Sequence, residues 1–258
     1  PFTGESKILG NWTNFYALAT ILAGATLQDQ DLLDLASAEL RENIAIGIGS
    51  DGMWGEGAIG YQFFALQAMI PAMDVAARHG VDLWSYRDNR AKMLFDSPLR
   101  YVYPDGTGAG INDSGRAKLG NWSTMVYDYA WLRWGDPRHA VMVNSSPRQL
   151  ISTEAVYFPT RVYDTLPEPQ AVSYPSTVFG NLGYAILRDA SKFALLDYGP
   201  HGGVHGHLDK LNLLLFSGDE LGGVPRFHRY EDPLHAEWTR QTVAHNTMAV
   251  DGRGQQPG

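Results

Sequence analysis

The periodicity of the apolar residues changes once, beyond about residue 150, and no other feature of the chain constrains its fold as strongly. Before that point, in residues 14–24 and 31–46, apolar side chains recur at helical spacing, with Leu32, Leu35, Ala36 and Leu40 on one face of the second stretch. The pattern predicts a third helix from Ala58 towards His79, ended by Gly80 and kinked or divided by Pro71. Further helices are predicted over residues 81–100 and 121–134, separated by a turn-rich loop at 103–110. From about Ser152 the pattern becomes short β-rich runs at 155–158, 184–188, 193–197, 211–216 and 247–250, punctuated by Gly and Pro. Helices first and strands second predict an α+β chain of two packed parts, 1–150 helical and 151–258 sheet, rather than alternating βαβ units. The Pro-rich stretch at 165–175 reads as a surface connection near their junction.

Apolar residues make up 44% of the 258 and charged residues 19%, a balance that supports a folded chain rather than a disordered one. The formal charge of −8 argues against a field that gathers nucleic acid or anionic membrane, so a polyanionic substrate would need a local basic patch. Arg188, Lys210, Arg226, Arg229 and Arg240 are the candidates for one. With no Cys there is no disulfide, thiolate metal site or cysteine nucleophile. No apolar run is long enough to span a bilayer, and residues 1–10 lack the pattern of a signal peptide. The helical pattern starts almost at once and the last residues read as a strand entering a turn, so the chain is expected to be an internal piece of a longer protein.

Three constellations carry chemistry. His201, His205 and His207 crowd into nine residues ending at Asp209; on a strand His205 and His207 would share a face, and the glycines between them allow close approach of a ligand. A strand beside this cluster would bring His245, in His245-Asn246-Thr247, within reach of a metal shared with His207. In the helical part, Gly10-Asn11-Trp12 and Asp51-Gly52-Met53-Trp54-Gly55-Glu56, followed by Gly60-Tyr61, combine flat aromatic faces with amide and carboxylate groups, a chemistry suited to sugars. Packing in the core of a helix bundle is the plain alternative for Trp12, Trp54 and Tyr61.

Taken together and in this order, these motifs resemble the heparinase II/III-like polysaccharide lyases, including the alginate and oligoalginate lyases of similar architecture. Gly10-Asn11-Trp12 looks like the helix carrying that family's Asn-His or Asn-Trp pair, and Asp51-Gly52, Glu56 and Gly60-Tyr61 look like the segment of its catalytic tyrosine. His205-Gly206-His207-Leu208-Asp209 resembles the signature that opens its β domain, and His245-Asn246-Thr247 with Val250-Asp251-Gly252 resembles the next one. The resemblance implies a partial (α/α) toroid followed by the start of an antiparallel β-sandwich, with a site between them. It also implies a periplasmic or secreted parent and an anionic, uronate-containing polysaccharide or oligosaccharide as substrate, with no nucleic acid or membrane partner.

β-Elimination at a uronate breaks C4–O after loss of a weakly acidic C5 proton, so the carboxylate must be stabilised, C5 deprotonated and O4 protonated. The resemblance assigns Asn11 to the carboxylate, Tyr61 to acid catalysis and His205, as a neutral imidazole near pH 7, to the base, with Trp12, Trp54, Glu56 and His201 binding substrate. Trp12 stands where other members have a catalytic His, which favours this arrangement. No cofactor is required for the reaction. A structural zinc on His207 and His245 is the one metal expectation, although relatives take an Asp from the next strand and residues 221–225 contain none. Two other classes remain: a zinc-dependent metallo-hydrolase using His205, His207 and Asp209, although Lys210 stands where that motif usually continues with His, and a catalytically inactive carbohydrate-binding relative.

Overall fold

The computed structural model describes residues 10–118, 126–127, 129–131, 133–144, 173–200, 203–222 and 228–257. Two helices, α1 (Asn11–Leu27) and α2 (Gln30–Glu42), pack on each other and on α3 (Ile59–Arg78). Between the first two the chain reverses sharply: Gln28 takes φ 56° and Asp29 caps α2 by accepting the Leu32 N–H at 3.2 Å. The buried face of α2 is Leu33, Ala36, Ser37 and Leu40, and the predicted face is corrected by a partial rotation that leaves Leu35 61% exposed. A π-helical turn, Asn43–Gly47, follows α2.

Pro71 lies buried inside α3 without dividing it. The helix ends as predicted: Gly80 adopts φ 84°, and the Val81 N–H reaches back to the Ala76 carbonyl at 2.9 Å. The helix expected over 81–100 is shorter. Asp82 draws in the N–H groups of Trp84 and Ser85, and Arg87, Asp88 and Asn89 all take left-handed backbone angles, so regular helix starts only with α4 (Met93–Tyr101). The described part of 121–134 is helical, and α5 (Pro137–Asn144) follows. A two-stranded ladder, β1 (Thr107–Gly108) with β2 (Ala117–Lys118), interrupts the part that the sequence pattern reads as wholly helical.

Among the described residues the second part is one antiparallel sheet of five strands in sequence order: β3 (Thr177–Phe179), β4 (Tyr184–Arg188), β5 (Lys192–Asp197), β6 (Asn212–Ser217) and β7 (Glu220–Leu221). Strand alternation turns Phe193, Leu195, Leu214 and Phe216 inward. They meet the aromatics that end α4: Tyr103 lies 4.9 Å from Phe193 and 5.0 Å from Phe216, ring to ring, and Tyr101 lies 5.9 Å from Tyr184. Helices and sheet thus share one core. No strand forms at 247–250; Asp251 and Gly252 take positive φ and fold the chain back, leaving one bridge between Val250 and Arg253. The run at 155–158, most of 165–175 and the boundary at 150 lie outside the described residues. Among the described residues no helix is long and apolar enough to cross a membrane.

Polar bonds fix the sheet against the helices. Asp51 Oδ2 accepts the N–H groups of Asn181 and Leu182, both at 2.9 Å, and the Tyr184 hydroxyl donates to the Gly57 carbonyl at 2.8 Å. The β3–β4 turn then passes so close to the end of β5 that a Cβ on Gly199 would lie 1.7 Å from the Leu182 carbonyl oxygen. Backbone on both sides leaves no room to yield, so Gly199→Ala is expected to cost about 3 kcal/mol or more of stability, read as a lower denaturant midpoint at unchanged m-value.

Candidate active site

The site grows from the first turns of α1 and α3, which lie beside the segment that connects β5 and β6. Glu56, in the turn before α3, accepts the backbone N–H of Asn11 at 2.9 Å and so caps the start of α1 with a carboxylate. Gly10 leaves room for it: a Cβ there would stand 3.3 Å from Glu56 Oε1. The Asn11 amide nitrogen also donates to Glu56, at 3.0 and 3.2 Å, while its buried Oδ1 has no hydrogen-bond partner among the described residues.

Trp54 is the first correction at the site. Its indole is buried beneath Gly47 and donates Nε1–H to Glu56 Oε2 at 2.6 Å, so it holds the carboxylate and offers no face to a sugar. Trp12, beside Asn11, is 66% exposed and retains such a face. His201 lies outside the described residues, as does Arg226.

Tyr61 occupies the first turn of α3, and its ring stacks on His205 with centroids 3.5 Å apart. His205 sits in a 3-10 turn, Gly203–His205, not on a strand. Even so, His205 and His207 converge on one group, the carboxylate of Asp113. His205 Nδ1 lies 3.1 Å from Asp113 Oδ2, and His207 Nε2 lies 3.0 Å from Oδ1. Tyr230 completes the cluster: its hydroxyl donates to Asp113 Oδ2 at 3.0 Å and hydrogen-bonds the Tyr61 hydroxyl. Asp113 and Tyr230 were missed by sequence reasoning; the only signal was their place near the Gly-rich loop and the histidine-rich stretch, where polar residues ordinarily face solvent.

The electrostatics follow from these contacts. Burial opposes a charge on His205, but its bonds to Asp113 and to Glu56, whose Oε1 lies 3.4 Å from Nε2, outweigh that and raise its pKa to about 9. A neutral His205 near pH 7 is therefore corrected to a resting imidazolium. Burial would raise Asp113, yet hydrogen bonds from His205, from His207 and from the Tyr230 hydroxyl hold it well below the usual carboxylate range. Tyr61 is pushed up, chiefly by burial, against a smaller lowering by its bond to Tyr230, and so rests protonated.

On the far side of His207 lies a second grouping. His207 Nδ1, His245 Nε2 and one carboxylate oxygen of Asp209 all fall within 4.8 Å of one another. His207 spends its Nε2–H on Asp113, and His245 places Nδ1 2.9 Å from the Gln241 carbonyl, which leaves two lone pairs facing each other at 3.1 Å. Asp209 Oδ2, buried and without a hydrogen-bond partner among the described residues, stands 3.8 Å from His245 Nε2. Two opposed lone pairs and an orphaned carboxylate oxygen fit a cation, since tetrahedral ligands of a zinc ion stand about 3.4 Å apart. The third donor would come from the HGHLD motif itself, not from the next strand. A further acidic group, Asp96, Asp136 and His139, is already neutralised by Lys92 and Arg138.

Comparison with known proteins finds likenesses both in sequence and in fold. Residues 3–108 match the family model for alginate lyase, and residues 171–256 match that for the heparinase II/III-like C-terminal region. An alginate lyase of Stenotrophomonas maltophilia is 25% identical over 275 residues, covering 93% of this chain and 36% of its own length. Among solved structures, heparan sulfate lyase HepC from Pedobacter heparinus superposes with a TM-score of 0.70 at 17% identity, covering 96% of this chain and 38% of its own. A heparinase III gene product gives 0.72 at 18% identity, covering 97% and 39%. The chain therefore spans about two fifths or less of these relatives, and their fold is its fold over that span. In sequence the chain is thus similar to the alginate lyases over its first part and to the heparinase II/III-like C-terminal region over its last, and in fold it is similar to the solved heparinase III structures.

Proposed function

We propose that the protein cleaves a uronate-containing polysaccharide or oligosaccharide by β-elimination, with Asn11, Tyr61 and His205 as the reacting group. The convergence of these three side chains, from segments almost 200 residues apart in sequence, is the observation that supports this reading most: Asn11 and His205 both reach Glu56, and Tyr61 stacks on His205. Asn11 and the capped N-terminus of α1 would stabilise the uronate carboxylate as charge builds on it. Tyr61, protonated at rest, would give its proton to O4. His205, once it has lost a proton, would take the C5 proton through Nε2. Trp12 would stack on a neighbouring sugar. Glu56 would orient Asn11 and His205. In the complete protein the helical part (1–150) would form part of an (α/α) toroid and the sheet (151–258) the start of a β-sandwich, acting in the periplasm or outside the cell. The test is incubation of the full-length protein with a panel of uronans, followed by ultraviolet absorbance of unsaturated uronate ends; no absorbance with any of them would overturn the reading.

The metallo-hydrolase reading fares worse, because His205 and His207 turn to opposite oxygens of Asp113 and the metal-capable group leaves His205 out. A zinc ion at His207, Asp209 and His245 would instead brace the segment that carries His205, without touching substrate. Metal analysis of the purified protein is expected to find about one zinc per chain, and His245→Ala is expected to abolish it and lower the melting temperature. Full metal content in that variant would remove these ligands from consideration.

A further inference from the structure

We infer that Asp113 is a positioning residue that sets the proton pattern of two histidines in opposite senses, directing His205 to work through Nε2 and His207 to present Nδ1. Its side chain is fully buried, and its two oxygens are divided between the histidines. Oδ2 takes the Nδ1–H of His205 and the Tyr230 hydroxyl; Oδ1 takes the Nε2–H of His207. A histidine whose Nδ1–H is committed to a carboxylate can exchange protons only at Nε2, and here Nε2 faces Glu56 and the Tyr61 side of the site. A histidine whose Nε2–H is committed leaves Nδ1 as the acceptor, and here Nδ1 faces His245. One carboxylate therefore decides which nitrogen each ring uses.

The main chain around Asp113 makes it the pivot of a strap between the two parts of the fold. The Asp113 N–H donates to the His205 carbonyl at 3.1 Å, so backbone and side chain grip the same residue. Asn112, at φ 57°, donates from Nδ2 to the Gly57 carbonyl at 3.0 Å and accepts the His207 N–H at Oδ1 at 3.0 Å. Ser114 accepts the Gly60 N–H at 2.9 Å. Three successive residues thus reach the start of the Tyr61 helix on one side and the His205–His207 segment on the other.

Asparagine is the discriminating substitution. It fills the same space but has one acceptor oxygen and one NH2 group, so it must turn a donor towards one of the two ring N–H groups. The kinetic arm rests on the lyase reading above; the spectroscopic arm does not. In the full-length protein, Asp113→Asn is expected to lower kcat at least about a hundredfold with KM changed by less than about threefold. In a His205→Ala background the same substitution is expected to cost no more than about twofold, whereas a merely structural role would multiply the two losses. Ring-nitrogen NMR of histidine-labelled protein, recorded above pH 9 where His205 is neutral, is expected to show Nδ1-protonated His205 and Nε2-protonated His207 in the wild type and a mixture at one of them in the variant. If the wild type acts on no uronan but the ring pattern depends on Asp113, the lyase reading fails and the positioning role stands. Ring patterns that are the same in wild type and variant, or a variant with wild-type kcat, would overturn the positioning role. Should Asp113→Asn unfold the protein, Tyr230→Phe and Asn112→Ala are read in the same spectra: both are expected to leave the two ring patterns in place, and a change in either would overturn the role.

Discussion

Tyr61→Phe in the full-length protein is expected to lower kcat at least about a hundredfold, the usual scale for loss of a general acid, while KM changes little. The substitution removes one oxygen and leaves the ring, so the stack on His205, with centroids 3.5 Å apart, survives along with the packing of α3. The hydroxyl is the only part of Tyr61 aimed at Tyr230 and the reacting region, and burial keeps it protonated and ready to donate. Asn11→Ala is expected to act the same way on kcat, since the amide matters most as charge develops on the carboxylate. A structural role for Tyr61 forecasts the reverse: a shift in melting temperature with turnover almost intact. Full activity in a folded Tyr61→Phe variant would sink the acid assignment even if uronan cleavage itself were demonstrated.

The residues legible in the sequence are those whose chemistry is marked by their immediate neighbours. Tyr61 stands out because Gly57 and Gly60 precede it, and Gly60 is where the chain passes Ser114 closely, a Cβ there lying 3.1 Å from its Oγ. The strand at 184–188 was readable because its apolar residues alternate between two faces, and the end of α3 because Gly80 follows it. Asp113 carried no such mark. It follows a run of turn residues, and its importance comes from three histidines and a tyrosine that reach it from residues 205 to 235. Trp54 was ambiguous for a related reason: an aromatic among glycines suits a sugar platform or a buried ring equally well. What decides it is Gly47, seven residues earlier, where a side chain would lie 2.5 Å from the indole. The face of α2 was misjudged because Leu32, Leu33 and Leu35 spread apolar side chains over much of the helix, and their spacing does not record which side meets α1.

The pH dependence of the reaction decides what His205 does. Two carboxylates face its ring nitrogens, Asp113 at 3.1 Å and Glu56 at 3.4 Å, and together they raise its pKa to about 9 against the opposing effect of burial. As a raised pKa keeps the ring charged below that value, the base form is present in only about one molecule in a hundred at pH 7. If His205 removes the C5 proton, kcat/KM should climb about tenfold per pH unit above pH 7 and level off near pH 9. If the imidazolium itself is the working form, holding the uronate carboxylate as a cation, kcat/KM should be flat over the same range and fall above pH 9. His205→Ala is expected to lower kcat by about a hundredfold or more at pH 8 and to remove the limb centred on that ionisation. Glu56→Gln, which takes away one of the two charges that raise His205, should move the limb to lower pH if His205 produces it and leave it in place otherwise. A rise to a plateau that shifts in this variant assigns the base to His205; a flat profile that falls above pH 9 would hand proton abstraction to another group beside Tyr61 and leave His205 as the charge that holds the carboxylate.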